Sequence, residues 1–144
     1  MLAMLTIINN IADKSKDLAL LCIRLLLAYG FYTPAINKIN NFGSIVEWFE
    51  SMGLPAPGIN AFLATATEGL GVILLVLGLG LRYITLPLII VMIVAIATVH
   101  AGNGFNAGDN GFEIPLYYMA MLFGLFAFGG GKLSVDDFLA NRKS

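Results

Sequence analysis

Four long apolar segments, separated by short polar or glycine-rich connections, dominate the pattern of hydrophobic positions along this chain. They cover approximately residues 18–36, 59–81, 83–101 and 112–130. A helix needs about 20 residues to cross about 30 Å of hydrocarbon, and backbone groups in lipid must be paired within the protein. The pattern therefore predicts an all-α fold, an integral membrane four-helix bundle that residues 1–144 form as a single domain.

Short interfacial helices are predicted in the polar connections. Ser44-Ile-Val-Glu47 has the spacing of a capping box, so a short helix should follow it, with Trp48 at the level of the lipid headgroups. Ser134-Val-Asp-Asp137 is expected to open a similar helix after the fourth span. The apolar stretch Met1 to Ile11 is expected to lie along the membrane surface.

Composition supports a membrane protein and excludes some partners. Hydrophobic residues make up 58% of the chain and charged residues 12%, whereas about 25% charge is usual in soluble domains. A net charge of -1 without any run of basic residues excludes nucleic acid as a partner. The partner that the composition predicts is the lipid bilayer. The single cysteine, Cys22, cannot form an internal disulfide or a thiolate metal cluster, so any redox chemistry must use a bound group.

Basic residues on the connections predict the orientation, because lysine and arginine are retained on the cytoplasmic side of a membrane. Those that fall on one side of the four predicted spans are Lys14, Lys16, Arg82, Lys132, Arg142 and Lys143. Only Lys38 falls on the other side. Both termini are therefore predicted to be cytoplasmic, with the loop after His100 outside.

Ionisable residues within or beside the spans are the candidates for function. Arg24, Glu68 and His100 lie within spans, and Lys38 and Glu113 lie at their outer ends. A charge at the centre of a membrane helix costs about 2.5–3.5 kcal/mol on insertion scales. Because side chains lean towards the N-terminus of their helix, Lys38 and Glu68 should approach each other. Arg24 leans the other way, which leaves its pairing with Glu68 open.

The loop between the third and fourth spans is rich in glycine and asparagine and contains no lysine or arginine. We expect Lys38, Glu68, His100 and Glu113 to share an outward-facing polar cavity there. Asn103 and Asn106 are the loop amides expected to join them, as ligand-binding groups or parts of a charge relay. His100 and Glu113 are the candidates for proton transfer, a task suited to a histidine beside a carboxylate.

Two other interpretations of these ionisable groups compete with a site for proton transfer. The buried charges could instead be a polar plug that fixes helix register. A metal site built from His100, Glu68 and Glu113 lacks a second histidine and an i, i+4 ligand pair, so no metal is predicted.

Several short motifs resemble those of a known family in both order and spacing. They are Arg24-Leu-Leu-Leu-Ala-Tyr-Gly, Lys38, Gly53-Leu-Pro-Ala-Pro, Glu68-Gly-Leu-Gly, Gly78-Leu-Gly-Leu-Arg82, His100 with Asn103-Gly-Phe, and Glu113-Ile-Pro-Leu. Over roughly residues 20–139 the chain resembles the DoxX family of small four-span bacterial membrane proteins. One departure is Ala35, since many relatives have a histidine and a glycine ahead of the lysine.

The resemblance implies a protein of the bacterial inner (plasma) membrane with a connection to respiratory or thiol redox systems. Relatives include the membrane subunit of a thiosulfate:quinone oxidoreductase and a partner in an oxidative-stress complex. The residues on matching positions, and hence candidates by resemblance, are Arg24, Lys38, Glu68, Arg82, His100, Asn103 and Glu113.

The leading hypothesis is a redox-associated protein, such as the membrane subunit of a quinone-linked oxidoreductase, that holds a quinone or small sulfur compound in the outer cavity. Lys38 would stabilise negative charge, Glu68 would tune Lys38, and a redox partner protein would exchange electrons. Two alternatives remain open. One is a proton-linked carrier for small solutes, which would need a homo-oligomer, and the other is a membrane scaffold for a redox partner.

Overall fold

The computed structural model describes residues 1–142, so Lys143, one of the basic residues used to predict orientation, lies outside the described part. All regular elements within residues 1–142 are helices. The α-helices are α1 (Leu2–Asn40), α2 (Phe42–Ser51), α3 (Pro57–Leu77), α4 (Leu81–Ala95), α5 (Glu113–Phe128) and α6 (Val135–Asn141). A π-helical turn, Ile96–His100, continues α4, and two 3₁₀ turns, Ala101–Asn103 and Ala107–Asp109, lie in the loop before α5.

Three helices within the described part are long and apolar enough to cross a membrane, Met4–Asn40, Pro57–Leu77 and Leu81–Asn103. The predicted all-α membrane bundle is thus confirmed. The fourth apolar helix, α5, has 16 residues. At 1.5 Å per residue it is about 24 Å long, less than the about 30 Å of a typical hydrocarbon core. A complete fourth crossing therefore stays a prediction.

The main helices run alternately up and down, with α1 packed most extensively on α3 and α4 on α5. The largest group of buried apolar side chains lies between them and comprises Leu27, Ala28, Phe31, Leu75, Leu81, Ile84, Leu88, Met92, Leu122 and Leu125. We call the end of the bundle where α3 ends, α4 begins and α6 lies the inner end. There the Lys132 amide donates to Asp17 Oδ1 at 2.8 Å, and the Asp136 amide donates to the Gly78 carbonyl at 3.0 Å. The outer end is the opposite one, where α2 and the loop before α5 lie.

The first interfacial helix begins earlier than the capping box predicts. Asn41 alone separates α1 from α2, and Ser44 falls inside α2, which has no side-chain cap. The Asn41 amide donates to Asn37 O at 3.0 Å and the Ile45 amide donates to Asn41 O at 3.1 Å. The capping-box prediction is therefore wrong, because α2 has already begun at Phe42, two residues before Ser44.

The two other predictions for short helices have different outcomes. Ser134 does cap α6, since its hydroxyl accepts a hydrogen bond from the Asp137 amide at 3.3 Å. The N-terminal stretch is not a separate element, because α1 is continuous from Leu2 to Asn40 and contains no glycine or proline before Gly30. The prediction of a separate surface segment at Met1 to Ile11 is therefore wrong, because this stretch is the start of α1.

Candidate ligand-binding cavity

A cavity of about 800 Å³ occupies the outer end of the bundle. Side chains of all five helices α1 to α5, the π-helical turn and the following loop form its walls, and most of them are apolar. Ligand pockets typically enclose about 300–1,000 Å³ and combine apolar walls with a few polar groups. The cavity therefore has the size and the lining of a small-molecule site.

Lys38 and Glu68 form an ion pair in the wall of this cavity. Lys38 Nζ lies 2.8 Å from Glu68 Oε2, and the two side chains are 15% and 4% exposed. The approach predicted from the lean of side chains along the two helices is confirmed. The pair leaves capacity for a ligand, because Lys38 uses one of its three N–H groups and Glu68 Oε1 accepts no hydrogen bond within residues 1–142.

His100 lines the same cavity from the end of the π-helical turn. Its Nδ1 lies 2.8 Å from the carbonyl oxygen of Asn110. A carbonyl can only accept, so Nδ1 is the donor in this contact, and Nε2 is the nitrogen that has a lone pair when the ring is neutral. This hydrogen bond fixes the tautomer and leaves Nε2 as a proton acceptor.

Asn103, Asn106 and Glu113 are not brought to the cavity wall. Asn103 Nδ2 donates to the carbonyls of Val99 and Asn110, both at 3.2 Å. Asn106 Oδ1 accepts from the Gly108 amide at 3.2 Å and so begins the second 3₁₀ turn. These amides hold the loop in shape, and Asn103 shares with His100 the carbonyl that orients the imidazole.

Glu113 also has local partners in the loop. Its Oε2 accepts from the Ala107 amide at 2.9 Å, and its Oε1 accepts from the Tyr117 hydroxyl at 3.1 Å. The sequence suggested a carboxylate close to His100 in the cavity, but the structure directs this one to the loop backbone. Its geometry is that of a group that closes the loop onto α5.

Arg24 lies at the inner end, away from the cavity, and is 1% exposed. It donates to the carbonyls of Gly130 at 3.1 Å, Leu133 at 2.9 Å and Val76 at 3.4 Å, and it does not pair with Glu68. Carbonyls at a helix C-terminus carry partial negative charge, which suits a guanidinium. Arg24 thus ties the end of α3 to the segment after α5.

Tyr118 is a cavity residue that the sequence reasoning missed. Its ring packs edge-on against Phe31, with centroids 5.4 Å apart, and its hydroxyl reaches α1 beside Gly30. The signal in the sequence was Gly30 itself, since a glycine inside a helical pattern often has a packing or functional reason. Within residues 1–142 no three His, Cys, Asp or Glu side chains are grouped to hold a metal ion.

Together these features define a class: an all-α membrane protein with a nearly buried ion pair and a histidine in the wall of an outer cavity. Within that class the chain belongs to the DoxX family, whose model matches residues 19–101. The resemblance found in the sequence is thereby confirmed.

Two relatives show how far the similarity extends. An uncharacterized protein of Haemophilus influenzae is 34% identical over 128 residues, which cover 86% of this chain and 85% of the relative. The Bacillus subtilis protein named "Putative oxidoreductase CatD" is 26% identical over 131 residues, which cover 91% of this chain and 94% of the relative. No solved structure shows a significant match to the chain.

Proposed function

We propose that this DoxX-family protein is a redox-associated membrane protein that binds a quinone or a small anionic sulfur compound in its outer cavity. The observation that carries the proposal is the Lys38–Glu68 pair, which is nearly buried yet borders about 800 Å³ of open space. The similarity to a relative named as an oxidoreductase supports the redox assignment.

The cavity is the reason to prefer a ligand site over a plug that only fixes helix register. A plug is most stable when packed side chains surround its charges, because a buried ion pair needs further hydrogen bonds to offset its desolvation. Here Lys38 and Glu68 each retain unused hydrogen-bonding capacity. Within the described part, the unpaired Oε1 of Glu68 is not fully buried, so a ligand can reach it. A bound ligand would supply the missing partners.

The groups in the wall suit the chemistry of a quinone. Reduction to the quinol takes up two electrons and two protons, and negative charge develops on the ring oxygens. A Lys38 N–H group would stabilise that charge, while Glu68 holds the ammonium in position. His100 would carry a proton at Nε2, accepting it from a quinol or, when protonated, delivering it to a quinone. Electrons would pass to or from a sulfur compound or a redox partner protein.

We also propose that the cavity opens to the outer side of the bacterial plasma membrane, with both termini cytoplasmic. Support comes from the basic residues on the connections. Arg82 and Lys132 both border the inner end, where the guanidinium of Arg82 reaches the carbonyl of Ala127 at 3.4 Å and the amide of Lys132 meets Asp17. Among the lysines and arginines of residues 1–142, Lys38 alone lies towards the outer end.

A proton-linked carrier remains an alternative, but the packing of a single chain does not favour it. Leu27, Leu75 and Leu122 are each 0% exposed and lie between the cavity and Arg24 along their helices. This layer of buried leucines separates the cavity from the inner end. Transport would therefore require a rearrangement of the core or a route between subunits of a homo-oligomer. The scaffold alternative predicts partner binding without a small ligand.

The test is a titration of the purified full chain, reconstituted in nanodiscs, with short-tailed ubiquinone and menaquinone analogues and, separately, with thiosulfate. Trp48 is the single tryptophan and lines the cavity, so its fluorescence should report binding. Saturable binding that is weakened by Lys38→Met and by His100→Ala supports the proposal. Lack of saturable binding of every probe to the wild-type protein, or equal binding by these variants, contradicts it.

A matched control separates binding from folding. Asp13 and Lys16 form an exposed ion pair on α1, with Nζ and Oδ1 2.7 Å apart. Lys16→Met removes the same type of charge outside the cavity and should leave probe binding unchanged. Proton flux into sealed liposomes that disappears in Glu68→Gln, without any probe binding, would instead favour the carrier.

A further inference from the structure

The hydroxyl of Tyr118 occupies an unusual position in the wall of the cavity. It lies so close to α1 that a Cβ atom added to Gly30 would be 1.8 Å from the hydroxyl oxygen and 2.4 Å from Cζ of the ring. A larger residue at this point would fit only if the Tyr118 ring moved. Gly30 therefore determines how far the Tyr118 ring can extend across the cavity towards α1.

The same hydroxyl has no hydrogen-bond partner within residues 1–142. The hydroxyl oxygen of Tyr118 is not fully buried either. Among the described residues, the fully buried side-chain nitrogen or oxygen without a hydrogen-bond partner is Arg24 Nε. A partly buried tyrosine hydroxyl usually finds a partner. Because Tyr118 lines the cavity, its hydroxyl is an unused donor and acceptor at the cavity wall.

The level of this hydroxyl in the bundle constrains the ligand. Gly30 precedes Lys38 by eight residues on α1, which corresponds to about 12 Å of helix rise. The Lys38 side chain leans towards the helix N-terminus and shortens that separation, but the two groups remain at different depths. A ligand that binds both Lys38 and the Tyr118 hydroxyl must therefore extend along the direction of α1, as a flat ring with oxygens on opposite edges does.

We propose that the Tyr118 hydroxyl donates a hydrogen bond to a second oxygen of the bound ligand, with Gly30 as the residue that positions it. This inference rests on the proposed function and narrows the ligand to a ring with two opposed carbonyl oxygens, that is, a quinone. Phe31 supports the arrangement, since its edge-on contact fixes the plane of the Tyr118 ring.

Tyr118→Phe tests the hydrogen bond, because it removes the hydroxyl while the ring keeps its contact with Phe31. The probes are decylubiquinone and thiosulfate, added to the full chain in nanodiscs and followed by Trp48 fluorescence. One net hydrogen bond corresponds to about a 3- to 10-fold loss of affinity. We expect that loss for decylubiquinone, and no change in any binding of thiosulfate.

Tyr117→Phe is the matched control. Tyr117 is the neighbouring tyrosine, but its hydroxyl donates to Glu113 and it does not line the cavity. Decylubiquinone should bind this variant as it binds the wild type. Equal affinities of Tyr118→Phe and wild type, or the same loss in both tyrosine variants, would overturn the inference.

Gly30→Ala tests the positioning role, with Gly124→Ala as its control. The added methyl at Gly30 displaces the Tyr118 ring, whereas a Cβ at Gly124, another helical glycine, meets nothing within 4 Å. We expect Gly30→Ala to weaken decylubiquinone binding at least as much as Tyr118→Phe, and Gly124→Ala to leave it unchanged. Unaltered binding by Gly30→Ala contradicts the positioning role.

The same titrations distinguish the two levels of the proposal. If wild-type protein binds neither decylubiquinone nor thiosulfate, the proposed function itself fails, and this inference with it. If the wild type binds decylubiquinone and Lys38→Met does not, while Tyr118→Phe equals the wild type, only the role of Tyr118 fails.

Discussion

Replacing Lys38 and Glu68 singly and together should reveal how strongly the two charges depend on each other. At 2.8 Å, with an effective dielectric constant of about 20, the attraction between the ammonium and the carboxylate is about 6 kcal/mol. Desolvation of the two ions, several kcal/mol each, offsets most of this gain. The net contribution of the pair is therefore small, although each charge is needed by the other.

Removal of one partner leaves the other charge buried and uncompensated, which typically costs about 3–5 kcal/mol. For Glu68→Met we expect the lower limit, about 3 kcal/mol, because the remaining Lys38 lies at the outer end and can extend towards water. For Lys38→Met, which leaves the 4% exposed Glu68 without its partner, we expect about 3–5 kcal/mol. The double variant should lose only about 0–1 kcal/mol, because two apolar side chains of similar volume replace the pair.

The assay is reversible unfolding of the purified protein in mixed micelles, with Trp48 fluorescence as the signal. Lys16→Met, at the exposed pair with Asp13, should leave the unfolding midpoint unchanged. A coupling energy above about 2 kcal/mol supports the reasoning. The reasoning would be refuted if the cost of the double variant equalled the sum of the two single-variant costs to within about 0.5 kcal/mol. Such additivity is typical of sites that do not interact.

Three further outcomes follow from the contacts described above. Arg24→Lys should lower the free energy of unfolding by about 1–3 kcal/mol, because an ammonium cannot reach three carbonyls on two elements, and it should leave quinone affinity unchanged in the same titration. Ser134→Ala should cost about 1 kcal/mol in the unfolding assay through loss of the α6 cap, whereas Ser134→Thr should keep most of it. Glu113→Ala should increase amide hydrogen exchange in residues 104–112, and decylubiquinone affinity should stay within about 2-fold of the wild-type value. A larger loss of affinity in this variant would show that Glu113 acts in the cavity.

Much of this architecture could be predicted because membrane helices leave a strong signal in sequence. The apolar segments and their helical nature follow from the need to pair every backbone group in lipid. The approach of Lys38 to Glu68 follows from the lean of side chains on antiparallel helices, a geometric rule that needs no knowledge of neighbours. The cap of Ser134 depends only on residues next to it in the chain.

The remaining features depend on contacts that no local pattern contains. The π-helical turn Ile96–His100 adds a residue to the last turn of the third span, so the direction of His100 differs from that of a regular helix. Glu113 could have faced either the cavity or the loop, and the backbone amide of Ala107 decided the outcome. The start of α2 was set by the end of α1 rather than by Ser44.

Tyr118 was missed for a similar reason. A tyrosine in an apolar membrane helix is ordinary, and its importance arises only where a glycine on another helix admits its hydroxyl. The pairing of Tyr118 with Gly30 joins positions 88 residues apart in the chain, so it could not be recognised before the packing of α1 and α5 was known.

The most direct test of the ligand-binding account is a high-resolution map of the protein in nanodiscs with decylubiquinone in excess. We predict density for the ring in the outer cavity, with one oxygen within hydrogen-bonding distance of Lys38 Nζ and the other at the Tyr118 hydroxyl. A map in which the ring lies on the lipid-facing surface, while lipid chains or ordered water alone fill the space beside Lys38 and Glu68, would contradict it.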